Sequence, residues 1–195
     1  GVRFHDEVTS SQLGAALESE VDLGPLTLGL DLGFASGDPS PGFGAFVDPD
    51  KGVAQAGDLD GAQANPPFDN RIDNFRFHPD YRIDKILFRE IIGTVTDAAY
   101  VRPHLAVPLV EYTGLDIQFQ TAAIASWAVE PGSTPSGQRP LGVEIDPGVR
   151  YQTRDGFLAV LDYALFLPLG GFDNPDQGLD ARSAQLVRMR LEMPF

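Results

Sequence analysis

The chain contains no cysteine and no long apolar run, and each absence removes a class of protein. Of its 195 residues none is Cys, so a disulfide framework and a Cys-type zinc site are excluded. No stretch of about 18 apolar residues is present, which excludes a transmembrane helix but not membrane-spanning strands, because such strands alternate. Acidic residues outnumber basic ones by 28 to 14, and the net charge of −14 argues against a nucleic-acid partner.

What the sequence has instead is a repeated alternation of apolar and polar side chains, which indicates strands with one apolar and one polar face. In the first such segment, Leu13 and Leu17 alternate with Glu18 and Glu20. The alternation is less regular in segments 99–111 and 157–169. The seven predicted strands are Ser11–Leu23, Leu26–Ser36, Ala99–Glu111, Leu115–Val129, Leu141–Thr153, Phe157–Leu169 and Ser183–Phe195. We therefore predict an all-β, antiparallel fold.

The last predicted strand ends on an aromatic residue. Val187 and Met189 lie on its apolar face, Arg188 and Arg190 lie on its charged face, and Phe195 is the final residue. This strand resembles the C-terminal signal strand of bacterial outer-membrane β-barrels, which the barrel-assembly machinery recognises. The resemblance makes Phe195 the expected assembly signal. The alternative is the last strand of a soluble acidic β-sandwich that acts as a binding module.

The predicted connections alternate between short and long. The short ones lie at residues 24–25, 112–114 and 154–156, and the long ones at 37–97, 131–140 and 170–182. Outer-membrane barrels have short periplasmic turns and long outer loops, whereas a sandwich has no reason to place every long loop at one edge. We therefore predict a single transmembrane β-barrel domain over residues 1–195, with a long outer loop at 37–97.

The number of strands bears on whether the barrel is complete. Bacterial barrels have an even number of strands and periplasmic ends, so seven predicted strands indicate the C-terminal part of a larger barrel. An open sheet in lipid would leave backbone groups unpaired at both edges, at several kcal/mol each. If Val2–Thr9 forms an eighth strand, a closed eight-stranded barrel is the alternative.

Segment 81–92 departs from the alternation. Its apolar residues, among them Ile83 and Leu87, follow a 3.6-residue period. Asp80 is a suitable N-cap and Gly93 a suitable C′ residue. The pattern predicts an amphipathic helix of about three turns, with a strand as the alternative.

The charged side of the same segment suggests a role for the helix. Lys85 and Arg89 lie together on that side. We expect the helix either to pack on the outer mouth of the barrel or to fold into the lumen as a constriction. In the lumen, Lys85 and Arg89 would face carboxylates such as Glu144 or Asp146.

Three stretches of sequence carry a resemblance to a known family: 68–70, Tyr81–Gly93 and Tyr100–Pro103. They resemble deltaproteobacterial (myxobacterial) outer-membrane β-barrel proteins and, more distantly, alginate-export porins. The resemblance covers about two thirds of the chain, from about Phe68 to the end. It implies a large barrel, an outer-membrane location and a transport role, and it supplies no catalytic residues. Unlike the basic alginate pore, the polar faces here are mostly acidic.

The polar faces of the predicted strands supply the candidate pore lining. Its members are Glu18, Glu20, Asp22, Asp31, Arg102, Asp116, Glu144, Asp146, Arg150, Asp162, Arg188, Arg190 and Glu192. The predicted function is a porin-like channel for small polar or charged solutes, embedded in outer-membrane lipid. An acidic surplus along the lumen favours cations, so we expect a cation preference. One alternative is a salt-bridge network that rigidifies a filled lumen. Another is a barrel that anchors a surface-binding or structural protein.

Metal binding and catalysis have weaker sequence support. Two loops are rich in Asp, and clustered carboxylates suit Ca²⁺, but no full twelve-residue calcium loop is present and solvated acidic loops are the alternative. The Asp residues concerned are Asp48, Asp50, Asp58, Asp60, Asp173, Asp176 and Asp180. No catalytic motif accompanies His5, His78 or His104, so we predict no enzyme. A pairing of His104 with Ser126, as in a barrel phospholipase, is the alternative to a structural histidine.

Overall fold

The computed structural model describes residues 9–39 and 71–193, most of which belong to one antiparallel sheet. The sheet has seven strands, so the all-β, antiparallel prediction is confirmed. Its strands are β2 (Gly14–Leu23), β3 (Leu26–Ala35), β5 (Ala98–Tyr112), β6 (Leu115–Ala128), β7 (Pro140–Thr153), β8 (Leu158–Pro168) and β9 (Ala184–Glu192). A separate parallel pair joins β1 (Thr9–Ser10) to β4 (Arg71–Ile72). No helix in the described part of the chain is both long and apolar enough to cross a membrane.

The strands form a meander, in which neighbours in sequence are neighbours in the sheet. The order is β2-β3-β5-β6-β7-β8-β9, with β2 and β9 at the two edges. Over the described residues the sheet is not closed, because these two edges do not pair with each other. Residues 2–8 of the proposed eighth strand lie outside the described residues. Thr9 pairs with Arg71 in the separate parallel sheet rather than with β2 or β9.

The strand connections follow the predicted alternation of short and long. Gly24-Pro25 joins β2 to β3, Thr113-Gly114 joins β5 to β6, and residues 154–157 join β7 to β8. Each of these turns contains a glycine in the left-handed region, with φ of +68° at Gly24, +94° at Gly114 and +92° at Gly156. Only glycine adopts these angles without steric cost, which permits such tight turns.

The two faces of the sheet differ in chemistry. Strand pairing places Phe119, Val149, Leu161 and Met189 in one row across β6 to β9. We call the face that carries this row, together with Leu17 and Leu32 on β2 and β3, the outer face. The opposite, inner face carries Asp31, Arg102, Glu144, Asp162 and Arg188. Large apolar side chains on the outer face are exposed, for example Leu17 at 60% and Met189 at 68%.

A β-bulge explains why the alternation of β5 is imperfect. The pairing of β5 with β6 shifts between Pro108 and Val110, so that Val110 lies opposite Ile117. The extra residue reverses the faces of the last part of the strand. Glu111 therefore lies opposite Asp116 on the inner face.

The hydrophobic core lies between the sheet and residues 74–96, which we call the inserted segment. From this segment, Ile83, Ile86, Leu87, Phe88, Ile92 and Val95 are buried. The sheet contributes Ala35, Ala98, Tyr100, Ile124, Ala128, Leu141, Ala164 and Phe166. Because Tyr100, Ile124 and Phe166 lie on the inner face, the inserted segment covers that face. The apolar side of this segment is thus buried against the sheet.

The predicted three-turn helix over 81–92 is wrong in length and type. Only Leu87–Ile91 is helical, and it is a π-helix preceded by Ile86 rather than by the predicted N-cap Asp80. The N–H groups of Ile91 and Ile92 donate to the carbonyls of Ile86 and Leu87, five residues earlier, at 3.0 and 2.9 Å. Gly93, with φ of +89°, follows the helix at the predicted C′ position.

Side-chain acceptors account for the short helix. Phe88 N–H donates to the Asp84 carboxylate at 2.6 Å instead of to a backbone carbonyl. The preceding N–H groups donate to a residue of the sheet, described below. The 3.6-residue pattern therefore identified a helical segment but not its extent.

Candidate functional site

The inserted segment is bound to the inner face through one buried carboxylate. Glu144 on β7 has no exposed surface, and its oxygens accept the backbone N–H groups of Lys85, Ile86 and Leu87, each at 2.8 Å. The first N–H groups of a helix have no acceptor within the helix and need one from elsewhere. A carboxylate is a strong acceptor for them, because the hydrogen bonds are charge-assisted. Glu144 therefore fixes the position of the segment and does not line an open passage.

A second buried carboxylate lies within the segment itself. Burial raises the pKa of Asp84 to about 7, and the neighbouring charge of Glu144 acts in the same direction. The backbone N–H of Phe88 opposes this shift because it stabilises the charged form. Asp84 is therefore poised to change its charge near neutral pH.

Lys85 links the segment to the sheet through its side chain as well. Its Nζ lies 3.1 Å from Asp162 Oδ1, and Arg188 Nε lies 3.7 Å from Asp162 Oδ2. Arg89 Nε lies 3.6 Å from Glu90 Oε1. We expected Lys85 and Arg89 to face inner carboxylates such as Glu144 or Asp146, and both border the same cavity as Asp146, but the ion pair that Lys85 forms is with Asp162. The Lys85 side chain reaches Asp162, and only its backbone N–H contacts Glu144, because the segment's backbone occupies that carboxylate.

A further ion pair joins β3 to β5. Arg102 Nη1 lies 2.5 Å from Asp31 Oδ2, and His104 Nε2 lies 3.3 Å from Asp31 Oδ1. The His104 ring lies over Gly29, where an added Cβ would come within 2.1 Å of the ring. Glycine at that position therefore lets the imidazole lie flat against the sheet beside Asp31.

Two tyrosines tie the segment to the same region. The hydroxyls of Tyr81 and Tyr100 are 2.6 Å apart. The Tyr100 ring in turn lies over Gly33, where a Cβ would come within 2.1 Å of it. The inserted segment is thus anchored at Tyr81 as well as at Lys85–Leu87.

Two sizeable cavities lie between the inserted segment and the inner face. The first, of about 440 Å³, is bounded by Asp84, Lys85, Arg102, Gln120 and Asp146 among others. Arg102 Nε and Asp146 Oδ1 are buried and have no hydrogen-bond partner in the described residues. These two atoms are covered by surrounding atoms, so the polar lining of the cavity comes from the other polar groups that border it.

The second cavity, of about 480 Å³, lies toward β7–β9. Its charged side chains are Arg82, Lys85, Arg89, Arg150, Asp162, Arg188 and Arg190. A smaller cavity of about 300 Å³ lies at the opposite side, where Glu18, Glu20 and Asp31 meet Arg102 and His104. The 300 Å³ cavity is therefore bordered mainly by acidic groups and the 480 Å³ cavity mainly by basic ones, although β7 and β8 also carry Glu144, Asp146 and Asp162 on the inner face.

The structure places the predicted lining residues in three groups. The residues that border the cavities are Glu18, Glu20, Asp31, Arg102, Asp146, Arg150, Asp162, Arg188 and Arg190, together with Lys85 and Arg89 of the inserted segment. Glu144 is buried beneath the segment. Asp22, Asp116 and Glu192 lie near strand ends: Asp22 accepts a hydrogen bond from Thr27 at 2.7 Å, and Glu192 pairs with Arg190 at 3.1 Å.

Sequence reasoning missed the contributions of Arg82, Asp84 and Gln120 to these cavities. Gln120 follows the same alternation as Gln118 and is identifiable from the pattern. Arg82 and Asp84 are not, because their position depends on how the inserted segment folds back onto the sheet.

The proposed calcium residues are only partly described. Asp48, Asp50, Asp58 and Asp60 lie outside the described residues, as does Phe195, the expected assembly signal. Asp173 Oδ1 accepts the backbone N–H of Ala181 at 2.9 Å, which stabilises its own loop. Within residues 9–39 and 71–193, no group of three or more carboxylate or histidine side chains is arranged to hold a metal ion.

His104 and Ser126 have different partners. His104 contacts Asp31, while Ser126 Oγ donates to the Gly142 carbonyl at 3.5 Å. Among residues 9–39 and 71–193, no side chain that could act as the general base of a hydrolytic serine is hydrogen-bonded to Ser126. Comparison of the chain with family models, curated proteins and solved structures found no match.

Proposed function

We propose that the chain forms part of an outer-membrane β-barrel that passes small polar or charged solutes, with a cation preference. In this proposal the outer face contacts lipid, and the inner face together with the inserted segment borders a narrow passage. The proposal retains the resemblance to deltaproteobacterial outer-membrane barrels as its expected family.

The observation that carries the proposal is the contrast between the two faces. Exposed large apolar side chains occur on the outer face of both edge strands and of strands between them, for example Leu17, Leu161 and Met189 at 60%, 53% and 68%. A contiguous apolar surface of this width is costly in water, at about 25 cal/mol per Å². Lipid removes that cost.

The lengths of the strands also fit a bilayer. A membrane-crossing strand needs about 9–11 residues, and the sheet strands have between 9 and 15. The edges β2 and β9 need further strands as partners, since unpaired backbone groups are costly in lipid. The proposal therefore requires strands in addition to the seven described.

The inner face supports a polar passage rather than a wide pore. The 440 and 480 Å³ cavities bring charged groups of the strands and the inserted segment together. The expected cation preference rests on the polar faces of the strands as a whole, where acidic side chains outnumber basic ones in the sequence. Around these two cavities basic side chains are the more numerous, because the inserted segment adds Arg82, Lys85 and Arg89. The inserted segment narrows the space available to solutes.

A second candidate function is a barrel that anchors a surface-binding or structural protein. The specific observation in its favour is the hydrophobic core between the inserted segment and the inner face. This core fills part of the inner side and rigidifies it, as a plugged barrel requires.

Conductance in planar bilayers distinguishes the two candidates. The purified full-length protein should produce discrete channels, and a salt gradient should give a reversal potential of the sign expected for a cation preference. Absence of channels in bilayers that contain correctly folded protein would reject the passage and favour the anchor. Heat-modifiable migration on a gel provides the control for folding.

A further inference from the structure

One cavity on the inner face has a charge opposite to that of the chain. Its cationic side chains are Arg82, Lys85, Arg89, Arg150, Arg188 and Arg190, and its acidic side chain is Asp162. The chain as a whole carries a net charge of −14. A concentration of positive charge in so acidic a protein calls for a physical reason.

The ion pairs of these cations do not neutralise the cavity. Asp162 is shared between Lys85 at 3.1 Å and Arg188 at 3.7 Å, so one negative charge faces two positive ones. Arg190 pairs with Glu192 at 3.1 Å, Arg89 with Glu90 at 3.6 Å and Arg82 with Asp80 at 4.0 Å. These three carboxylates are exposed and do not border the cavity. Exposed pairs of this kind contribute little, so a positive potential remains inside.

The environment of Arg89 reflects this crowding. Its pKa is lowered, first by partial burial and then by the positive charges of Arg188 and Arg82. The three guanidinium groups come from two elements, the inserted segment and β9. The fold therefore holds like charges together at some cost in stability.

The geometry points to this cavity as a binding site for a small solute that carries two or more oxyanion groups, carboxylate or phosphate. Guanidinium groups bind such groups through paired N–H donors, and the cavity offers them on opposing walls. Its volume of about 480 Å³ is that of a small-molecule site. The inference deepens the proposed function, on which it rests for placing the cavity in the passage.

A local anion site is compatible with a cation preference of the whole passage. The acidic groups Glu18, Glu20 and Asp31 lie on β2–β3, apart from the basic cavity at β7–β9. An anionic solute would thus be held at one wall, and its occupancy would obstruct the flow of other ions.

The test is a binding titration of the full-length protein in detergent micelles. Citrate and pyrophosphate are the probes for carboxylate and phosphate, and spermidine is the cationic control. Either anion should bind with a saturable isotherm that weakens as salt increases, and the stronger of the two identifies the preferred oxyanion. Failure of both to bind, or equal binding of spermidine, would overturn the site.

A double variant tests whether the cavity itself is responsible. Arg89→Gln with Arg190→Gln removes two cavity charges but leaves both ion pairs of Asp162 intact, so the fold should be kept. We expect binding to weaken at least about tenfold. The control Arg182→Gln removes an exposed charge that does not border the cavity, and it should leave binding within about twofold. An equal loss in the control would overturn the assignment.

The two proposals fail separately. Conductance without anion binding would reject the site and leave the passage standing. Saturable binding that the double variant weakens, in a protein that forms no channels, would support the site and reject the passage.

Discussion

Glu144 accepts the backbone N–H of Lys85 at 2.8 Å across 59 residues of sequence. The same carboxylate also accepts the N–H groups of Ile86 and Leu87, so a single side chain of the sheet fixes the inserted segment. The position of this segment determines both large cavities. Its attachment is therefore the structural feature on which the proposed passage depends.

Glu144→Gln should loosen the inserted segment. The amide keeps one acceptor oxygen but places an NH₂ group against backbone donors, and the negative charge is lost. We expect a cost of about 3 kcal/mol in the free energy of unfolding, measured by urea titration in micelles. Proteolysis within residues 74–96 should also become faster. Glu192→Gln, at an exposed position, is the control, and equal effects of the two changes would contradict the anchoring role.

Asp84 should make the protein less stable as the pH rises toward neutrality. Its pKa is about 7 in the folded protein against an ordinary value of 3.8. Between about pH 4 and 7 the folded state therefore binds more protons than the unfolded state, so stability is greatest below pH 4 and falls until about pH 7.

Asp84→Asn should remove this part of the pH dependence while it keeps an acceptor for Phe88 N–H. The free energy of unfolding of the variant minus that of the original protein should be larger at pH 8 than at pH 5, by an amount on the order of 3 kcal/mol. Asp97, whose pKa is also raised to about 7 by burial, keeps its own contribution. An unchanged difference between the two pH values would contradict the assignment.

The strands and their faces could be predicted from the sequence because both depend on local alternation. A side chain such as Leu17 or Met189 is assigned to a face by its neighbours alone. The position of the inserted segment could not be predicted, since it depends on contacts such as Glu144 with Leu87, across 57 residues. The bulge after Pro108 likewise changes the face of Glu111. The sequence shows it only as an irregular alternation in segment 99–111, which does not reveal where the extra residue lies.

The same distinction applies to the candidate site. The alternation of β9 was sufficient to place Arg188 and Arg190 on the inner face. It did not show that Asp162 would be taken by Lys85, at 3.1 Å, because that contact requires the segment to fold back. Charge totals predicted an acidic passage, whereas the division into acidic and basic cavities required the three-dimensional arrangement.

Membrane topology can be tested with single cysteines, because the chain has none of its own. Thr113 and Asp155 lie in short turns, and Asp176 lies in the long connection between β8 and β9. With the short turns in the periplasm, cysteines at 113 and 155 should resist an impermeant label on intact cells, and one at 176 should react. Labelling of all three after outer-membrane permeabilisation is the control. Labelling of the cysteine at 113 on intact cells would mean that the short turns face the outside, which contradicts the predicted orientation.

The outer face offers the most direct test of a lipid environment. Phe119 and Leu161 lie in one register row with Val149 between them, and Met189 continues the row on β9. Arginine at Leu161 or Met189 places a charge where the proposal puts hydrocarbon, which costs about 2–4 kcal/mol near the bilayer midplane.

The matched control lies on the inner face of β6. Gln118→Arg places the same side chain beside Arg150 at a site that the proposal leaves hydrated, so its cost should be much smaller. Urea titration of protein folded into lipid vesicles gives both free energies. If Leu161→Arg costs no more than Gln118→Arg in vesicles, the outer face does not contact lipid. A face that packs against another protein surface then becomes the better account.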